Sequence, residues 1–225
     1  MDLDTLRGKL GYQGALLAGV ALLTSAALAI AAKMTGPAIE AAAAADLKQS
    51  LTQVLPGQYD NDLLQDTVVL PGPDGAPVTV YRARKGTAVA AVVFKVTGKG
   101  YAGPIASMMG VDREGRLLGV RVISHKETPG LGDKIEPAKD RWIFAFDGKS
   151  LADPGPDKFA VRKDGGVFDQ FAGATITPRA VVNSVKDGLE FFGREQAHLL
   201  DLRPTPLQAR EEPGEKGHDQ GGFAS

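Results

Sequence analysis

Apolar positions follow different rhythms in different parts of this chain. The first is a continuous run, LGYQGALLAGVALLTSAALAIAA from Leu10 to Ala32, free of charge and bracketed by Lys9 and Lys33. At a rise of ~1.5 Å per residue such a run crosses the ~30 Å hydrocarbon core of a bilayer, so it predicts one transmembrane helix. A cleaved signal peptide is the other reading, because Ala27-Leu28-Ala29 resembles a small-residue cleavage site. The run outlasts the ~7 to 15 apolar residues of a signal core, which favours an anchor. Arg7 and Lys9 precede the span and only Lys33 follows it closely, which puts residues 1–9 in the cytoplasm. On either reading the rest of the chain is exported.

Next comes a helical spacing. Leu47, Leu51, Val54 and Leu55 follow an alanine run and are stopped by Pro56 and Gly57, predicting a juxtamembrane helix. The turn formers of LPGPDGAP, Leu70 to Pro77, then read as a loop, so residues 33–77 are expected to be helix and linker. From residue 78 the rhythm is that of strands. Val78 to Ala83, Ala88 to Val96, Ile105 to Val111 and Leu117 to Ser124 are short, rich in valine and separated by glycine or charged turns. The turn DREGR, Asp112 to Arg116, has Gly115 free for a positive φ and marks a hairpin. These segments predict an antiparallel sheet.

Beyond Asp133, Ile135, Trp142, Ile143 and Phe146 fit one side of a short helix or turn, with Trp142 either a core aromatic or a cofactor neighbour. Pro178 to Gly193 places Val181, Val182, Val185, Leu189 and Phe192 on one helical face. Proline suits the first helical position and Thr177 before it suits the N-cap. The fold class is thus α+β: an N-terminal transmembrane helix (10–32), then an antiparallel-sheet domain with packed helices (78–202). The charged, glycine-rich residues 203–225 are expected to be disordered. No internal repeat is present.

Composition narrows the chemistry. The 225 residues, 43% apolar and 24% charged, suit one or two ordinary domains. A net charge of -1 without a basic run gives no nucleic-acid footprint. Cysteine is absent, which removes disulfides, thiolate metal sites and thiol nucleophiles. The three histidines, His125, His198 and His218, are too scattered for a zinc site. No HExxH, no Ser/His/Asp arrangement and no phosphate-binding glycine loop supports a hydrolase or nucleotide triphosphatase.

One stretch stands out: DQFAGATITPRAVV, Asp169 to Val182. Gly173 and Ala174 leave the backbone open to a large group. Thr175 lies just ahead of a helix N-terminus whose free N–H groups favour an anion such as phosphate. The same residues also fit a plain capped loop in which Thr175 bonds the backbone.

The pattern Asp169-x-x-Ala172-Gly173-Ala174-Thr175-x-Thr177 resembles the flavinylation motif of FMN-binding subunits in bacterial ion-pumping redox complexes. A second stretch, Gly100 to Ile135, with Glu127-Thr128-Pro129-Gly130-Leu131-Gly132 at its centre, resembles that family's other signature. The resemblance runs from the N-terminal span to Phe192. It is closest to the RnfG family, the flavin-bearing G component of Rnf-type complexes, which are ferredoxin:NAD oxidoreductases that couple electron flow to ion translocation. NqrC, the corresponding component of the sodium-pumping NADH:quinone reductase, is the related alternative.

That resemblance implies an electron-carrying subunit, without independent catalysis, in the bacterial inner membrane, its domain on the extracytoplasmic side among the other subunits of the complex. It implies FMN joined to Thr175 through a phosphodiester, installed from FAD by a separate Mg-dependent flavin transferase that Asp169 helps to orient. Thr177 is the rival acceptor. The ring is expected to lie on Pro129-Gly130-Leu131-Gly132 with Leu131 against the isoalloxazine, while Glu127 and Thr128 supply hydrogen bonds and Tyr101 and Pro104 wall the site. His125 serves either the site or a strand end, and Lys126 and Lys134 are read as solvated charges. Ala172 stands where the family commonly has serine or threonine, and this departure leaves a non-flavinylated scaffold subunit as a competing reading. A stand-alone exported flavin domain is a third.

Overall fold

The computed structural model describes residues 10–57 and 59–200. The expectations for the cytoplasmic N-terminus, for the disordered tail and for His218 therefore lie outside the described residues. The apolar run and the juxtamembrane helix merge into one helix, α1, Leu10–Val54, which passes Pro37 without a break. Its 45 residues correspond to a length of ~68 Å at the usual rise per residue. Within it an 18-residue window has a mean hydropathy of 2.2, and none of that window is buried against the protein. Leu17, Leu22, Leu23 and Leu28 all stand exposed there. Such a contiguous apolar surface needs a cover, and a bilayer supplies one of matching chemistry and thickness.

Five strands follow: β1 Thr67–Pro71, β2 Pro77–Lys85, β3 Ala88–Lys99, β4 Pro104–Asp112 and β5 Leu117–Ser124. They form a single antiparallel sheet in sequence order. The strand β1 lies within the segment that the turn formers assign to linker, and the LPGPDGAP stretch is in part the hairpin joining it to β2. A strand ending in proline is tolerated there because β1 is an edge strand, where a missing N–H costs no ladder bond. The expected hairpin at Asp112 forms, with the Asp112 N–H donating to the Arg116 carbonyl at 2.9 Å and Gly115 at φ 81°.

Both faces of the sheet are covered. On one, the helix α2, Ile176–Leu199, lays Val181, Val182, Val185, Leu189 and Phe192 on Phe94, Val96 and Met109. On the other, the end of α1 packs Leu51, Val54 and Leu55 against Ala83, Ala91, Val93 and Met108. This double cover explains why β3 reads as a nearly unbroken apolar run instead of strict alternation. Beside the sheet, Trp142, Phe146, Phe159, Phe168 and Phe171 form an aromatic cluster with neighbouring centroids 4.6 to 6.2 Å apart. Trp142 is therefore a core aromatic. Its indole N–H donates to the Asp169 carbonyl at 2.7 Å and so fixes the start of the stretch that leads into α2.

Asp66, just before β1, accepts from Arg82 Nε at 2.7 Å and from Arg84 Nε. Burial alone raises its carboxyl pKa, but the hydrogen bond from Arg84 and the charge of Arg82 outweigh burial and hold it below the usual carboxylate range. A depressed native value stabilises the fold fully above the unfolded value of ~3.9, and that stabilisation disappears as pH falls through the native one. Denaturant unfolding is therefore expected to show wild type more stable than Asp66→Asn at pH 7, with the gap closing in acid below the carboxylate range.

Candidate functional site

Three segments distant in sequence meet at the N-terminal end of α2 and enclose an open pocket of about 280 Å³. It is lined by Tyr101 from the β3–β4 turn, by Glu127, Thr128 and Leu131, and by Gly173 to Thr177. The last segment is held from behind: Phe171 packs edge-on against Trp142 at 5.2 Å, and the Ala174 N–H donates to the Phe171 carbonyl at 3.2 Å. The left-handed turn at Gly173, φ 80°, then points the chain into the helix without a side chain blocking the opening.

The helix starts earlier than the Thr-Pro signature predicts. Thr175 is the N-cap, and the first intrahelical bond runs from the Arg179 N–H to the Thr175 carbonyl at 3.2 Å. Pro178 is thus the third helical residue instead of the first, still within the turn whose N–H groups lack intrahelical partners. Thr177 is not the cap. It is buried, and its hydroxyl donates to Glu127 Oε2. The Thr175 side chain makes no cap hydrogen bond and lines the pocket half-buried.

Glu127 is 5% exposed, and its other oxygen accepts from the Ala102 N–H at 3.0 Å. Thr128 closes a turn, its carbonyl accepting from the N–H groups of Leu131 at 3.1 Å and Gly132 at 3.0 Å. Gly130 takes φ 78° and donates its N–H to Asp133 Oδ1 at 2.8 Å. Gly132 is buried behind the pocket, where an added Cβ would stand 2.8 Å from Glu127 Cβ and 2.9 Å from Thr177 Oγ1. Neither glycine lines the pocket; they shape the loop that does.

Other candidates fall outside. The Asp169 side chain is 66% exposed and pairs with Arg162 at 2.9 Å. His125 ends β5's extension, its Nδ1 accepting from the Glu127 N–H at 3.1 Å and its Nε2 lying 2.9 Å from Glu136 Oε1. Pro104 borders a neighbouring groove that Tyr101 separates from the pocket. Lys126 is exposed and Lys134 half-buried, and neither lines the pocket. Ile176 also lines it, and the sequence carries no signal for this, because a helix starting at Pro178 makes Ile176 an ordinary loop residue. Arg179, in the first turn of α2, clamps Asp164 through Nε at 2.5 Å and Nη2 at 2.7 Å, and this hydrogen bonding holds the Asp164 carboxyl below the usual range.

The donor set fits FMN. Tyr101, Leu131 and Ile176, exposed by 74%, 47% and 46%, offer apolar surface to a flat ring. The unpartnered N–H groups at the start of α2 suit a phosphate beside Thr175.

The fold and site define an FMN-binding domain carried on an apolar helix, and the family model described as FMN-binding domain matches residues 100–190. The chain is 52% identical to the G component of the ion-translocating oxidoreductase complex of Cereibacter sphaeroides over 87% of this chain and 89% of that one. It is 47% identical to the same component from Stutzerimonas stutzeri over 90% of each. A crystal structure of Shewanella oneidensis NqrC aligns over 60% of this chain and 69% of its own, with 27% identity and a TM-score of 0.45. The chain belongs to the family of G components of ion-translocating oxidoreductase complexes.

Proposed function

We infer that this chain is an electron-carrying, membrane-anchored FMN subunit of a Rnf-type ferredoxin:NAD oxidoreductase complex, with the flavin joined to Thr175 through a phosphodiester. FMN supplies the electron-accepting and electron-donating chemistry, and the protein supplies its position. Ion translocation is a property of the complex, and this chain performs no catalysis alone. The observation that carries the attachment is the contrast between the two threonines: Thr175 lines the pocket and its hydroxyl makes no hydrogen bond among the described residues, whereas the Thr177 hydroxyl is buried on Glu127.

In the attachment step the Thr175 oxygen bonds to the flavin-side phosphorus of FAD, the pyrophosphate P–O bond to AMP breaks, and AMP leaves. The hydroxyl proton passes to a base on the Mg-dependent transferase. Asp169 lies outside the pocket and is exposed, which supports a role in orienting that enzyme. Once attached, the phosphate keeps a negative charge, which the α2 N-terminus stabilises by roughly 0.3–1 kcal/mol. Leu131, Ile176 and Tyr101 would hold the ring, and Thr128, which lines the same pocket, would offer it a hydrogen bond. The domain lies on the extracytoplasmic face of the inner membrane, where a covalent link prevents loss of the cofactor.

In-gel flavin fluorescence of the membrane-purified, denatured chain tests this reading. A fluorescent band is expected when the transferase is co-expressed, and a dark band when it is not. A dark band in cells that flavinylate a control protein overturns the covalent link and leaves the scaffold reading in its place.

A further inference from the structure

Glu127 is a buried carboxylate, and among the described residues it has no ion pair. Such a group is costly to bury unless its hydrogen bonds are complete, and a packed apolar residue often serves stability as well. Here each bond goes to a different wall of the pocket. Oε1 accepts from the Ala102 N–H beside Tyr101, Oε2 accepts from the Thr177 hydroxyl in the first turn of α2, and the Glu127 backbone opens the loop carrying Thr128 and Leu131. Two glycines make room for it. An added Cβ at Gly100 would stand 2.5 Å from Glu127 Oε1, and one at Gly132 would stand 2.8 Å from Glu127 Cβ.

We propose that Glu127 is the positioning residue of the flavin site: its carboxylate staples the β3–β4 turn, the Thr128–Leu131 loop and the α2 N-terminus at a fixed separation, and so sets the orientation of the ring and its reduction potential. This rests on the reading that FMN is held at Thr175. Both carboxylate oxygens are already engaged by protein, so Glu127 acts on the ring through the walls it holds. Thr177 is its partner, which explains why a threonine stands two residues beyond the acceptor although it neither caps the helix nor faces solvent.

The test uses the full chain purified in detergent after co-expression with the transferase. Peptide mass mapping locates the flavin, while visible-band circular dichroism and the midpoint potential report how the ring is held. Thr177→Val keeps the shape of the side chain and removes the donor, and Thr177→Ser keeps the donor. Glu127→Met keeps the length of the side chain and removes both acceptors, whereas a glutamine could still accept from Ala102 and donate to the Thr177 oxygen. All three variants are expected to carry FMN on the Thr175 peptide. Thr177→Ser is expected to match wild type, whereas Thr177→Val and Glu127→Met lose flavin dichroism at least about twofold and shift the potential, because a site held loosely by its supporting residues loses its geometry.

Wild-type dichroism and potential in Thr177→Val, or a Thr177→Ser as impaired as Thr177→Val, overturn the proposal. If Thr177→Val does not fold, Glu127→Met decides in the same way. A wild-type chain without flavin on the Thr175 peptide overturns instead the reading beneath it.

Discussion

Replacing Thr175 by alanine is expected to remove all covalent flavin while leaving the fold intact. The two parts of that result have separate causes. Loss of the hydroxyl removes the proposed nucleophile, and the neighbouring Thr177 is not expected to substitute because its oxygen is buried and bonded to Glu127. Stability is spared because the usual penalty for losing an N-cap, ~0.5–2 kcal/mol, reflects a side-chain bond to the helix, and Thr175 makes none. Thr175→Ser restores the hydroxyl and is expected to restore the flavin. Thr177→Ala shows the opposite balance: flavin remains on the Thr175 peptide, while the orphaned Glu127 acceptor lowers stability by roughly 1–3 kcal/mol. In-gel fluorescence with denaturant melts of the three variants checks both halves. Covalent flavin in Thr175→Ala would move the acceptor elsewhere.

The largest stability effect is expected far from the pocket, at Gly110 on β4. A Cβ there would lie 2.3 Å from the Val54 carbonyl oxygen, a backbone atom that no rotamer change can move aside. Gly119 on β5 faces the same turn, with 3.3 Å from its added Cβ to Val54 Cα. Gly110→Val therefore forces the end of α1 off the sheet, exposing Leu51 and Val54, both fully buried in the native protein. Overpacking ordinarily costs ~1–3 kcal/mol, and loss of the Leu51 and Val54 contacts adds ~1.5–3 kcal/mol for each side chain returned to water. Denaturant unfolding of the detergent-solubilised chain should show a drop at least as large as the upper end of the overpacking range. A Gly110→Val protein as stable as wild type would mean that the helix end is not part of the core.

Much of the sheet is legible in sequence because β2 to β5 are short, valine-rich apolar stretches set between strong turns. Strand β1 is not, since a short TVVLP next to a Pro-Gly turn, with Val69 exposed, carries neither alternation nor length. The docking of α1 is hidden for another reason. Leu47, Leu51, Val54 and Leu55 announce an amphipathic turn, but the space it needs is written in Gly110 and Gly119, which local rules treat as generic small residues. At the site, Thr177-Pro178 has every local mark of a helix start, and the helix begins ahead of it because the Thr177 hydroxyl is claimed by a residue 50 positions away. That contact belongs to tertiary structure, which no cap rule contains. The same applies to Ile176, which joins Tyr101, Thr128 and Leu131 at the pocket only through the early start of α2, whereas the family resemblance anticipates the other three.

The seating of Val54 against glycines has one more consequence. A flavin domain on a loose tether would sample its partners by diffusion, and the tether's length would set the encounter rate. Here the apolar helix ends inside the core whose opposite face carries α2 and the pocket, so no flexible linker separates the anchor from the folded domain. Helices respond to bilayer thickness by tilting. Any tilt of α1 is thereby met at the packed Leu51, Val54 and Leu55 and not absorbed in a linker.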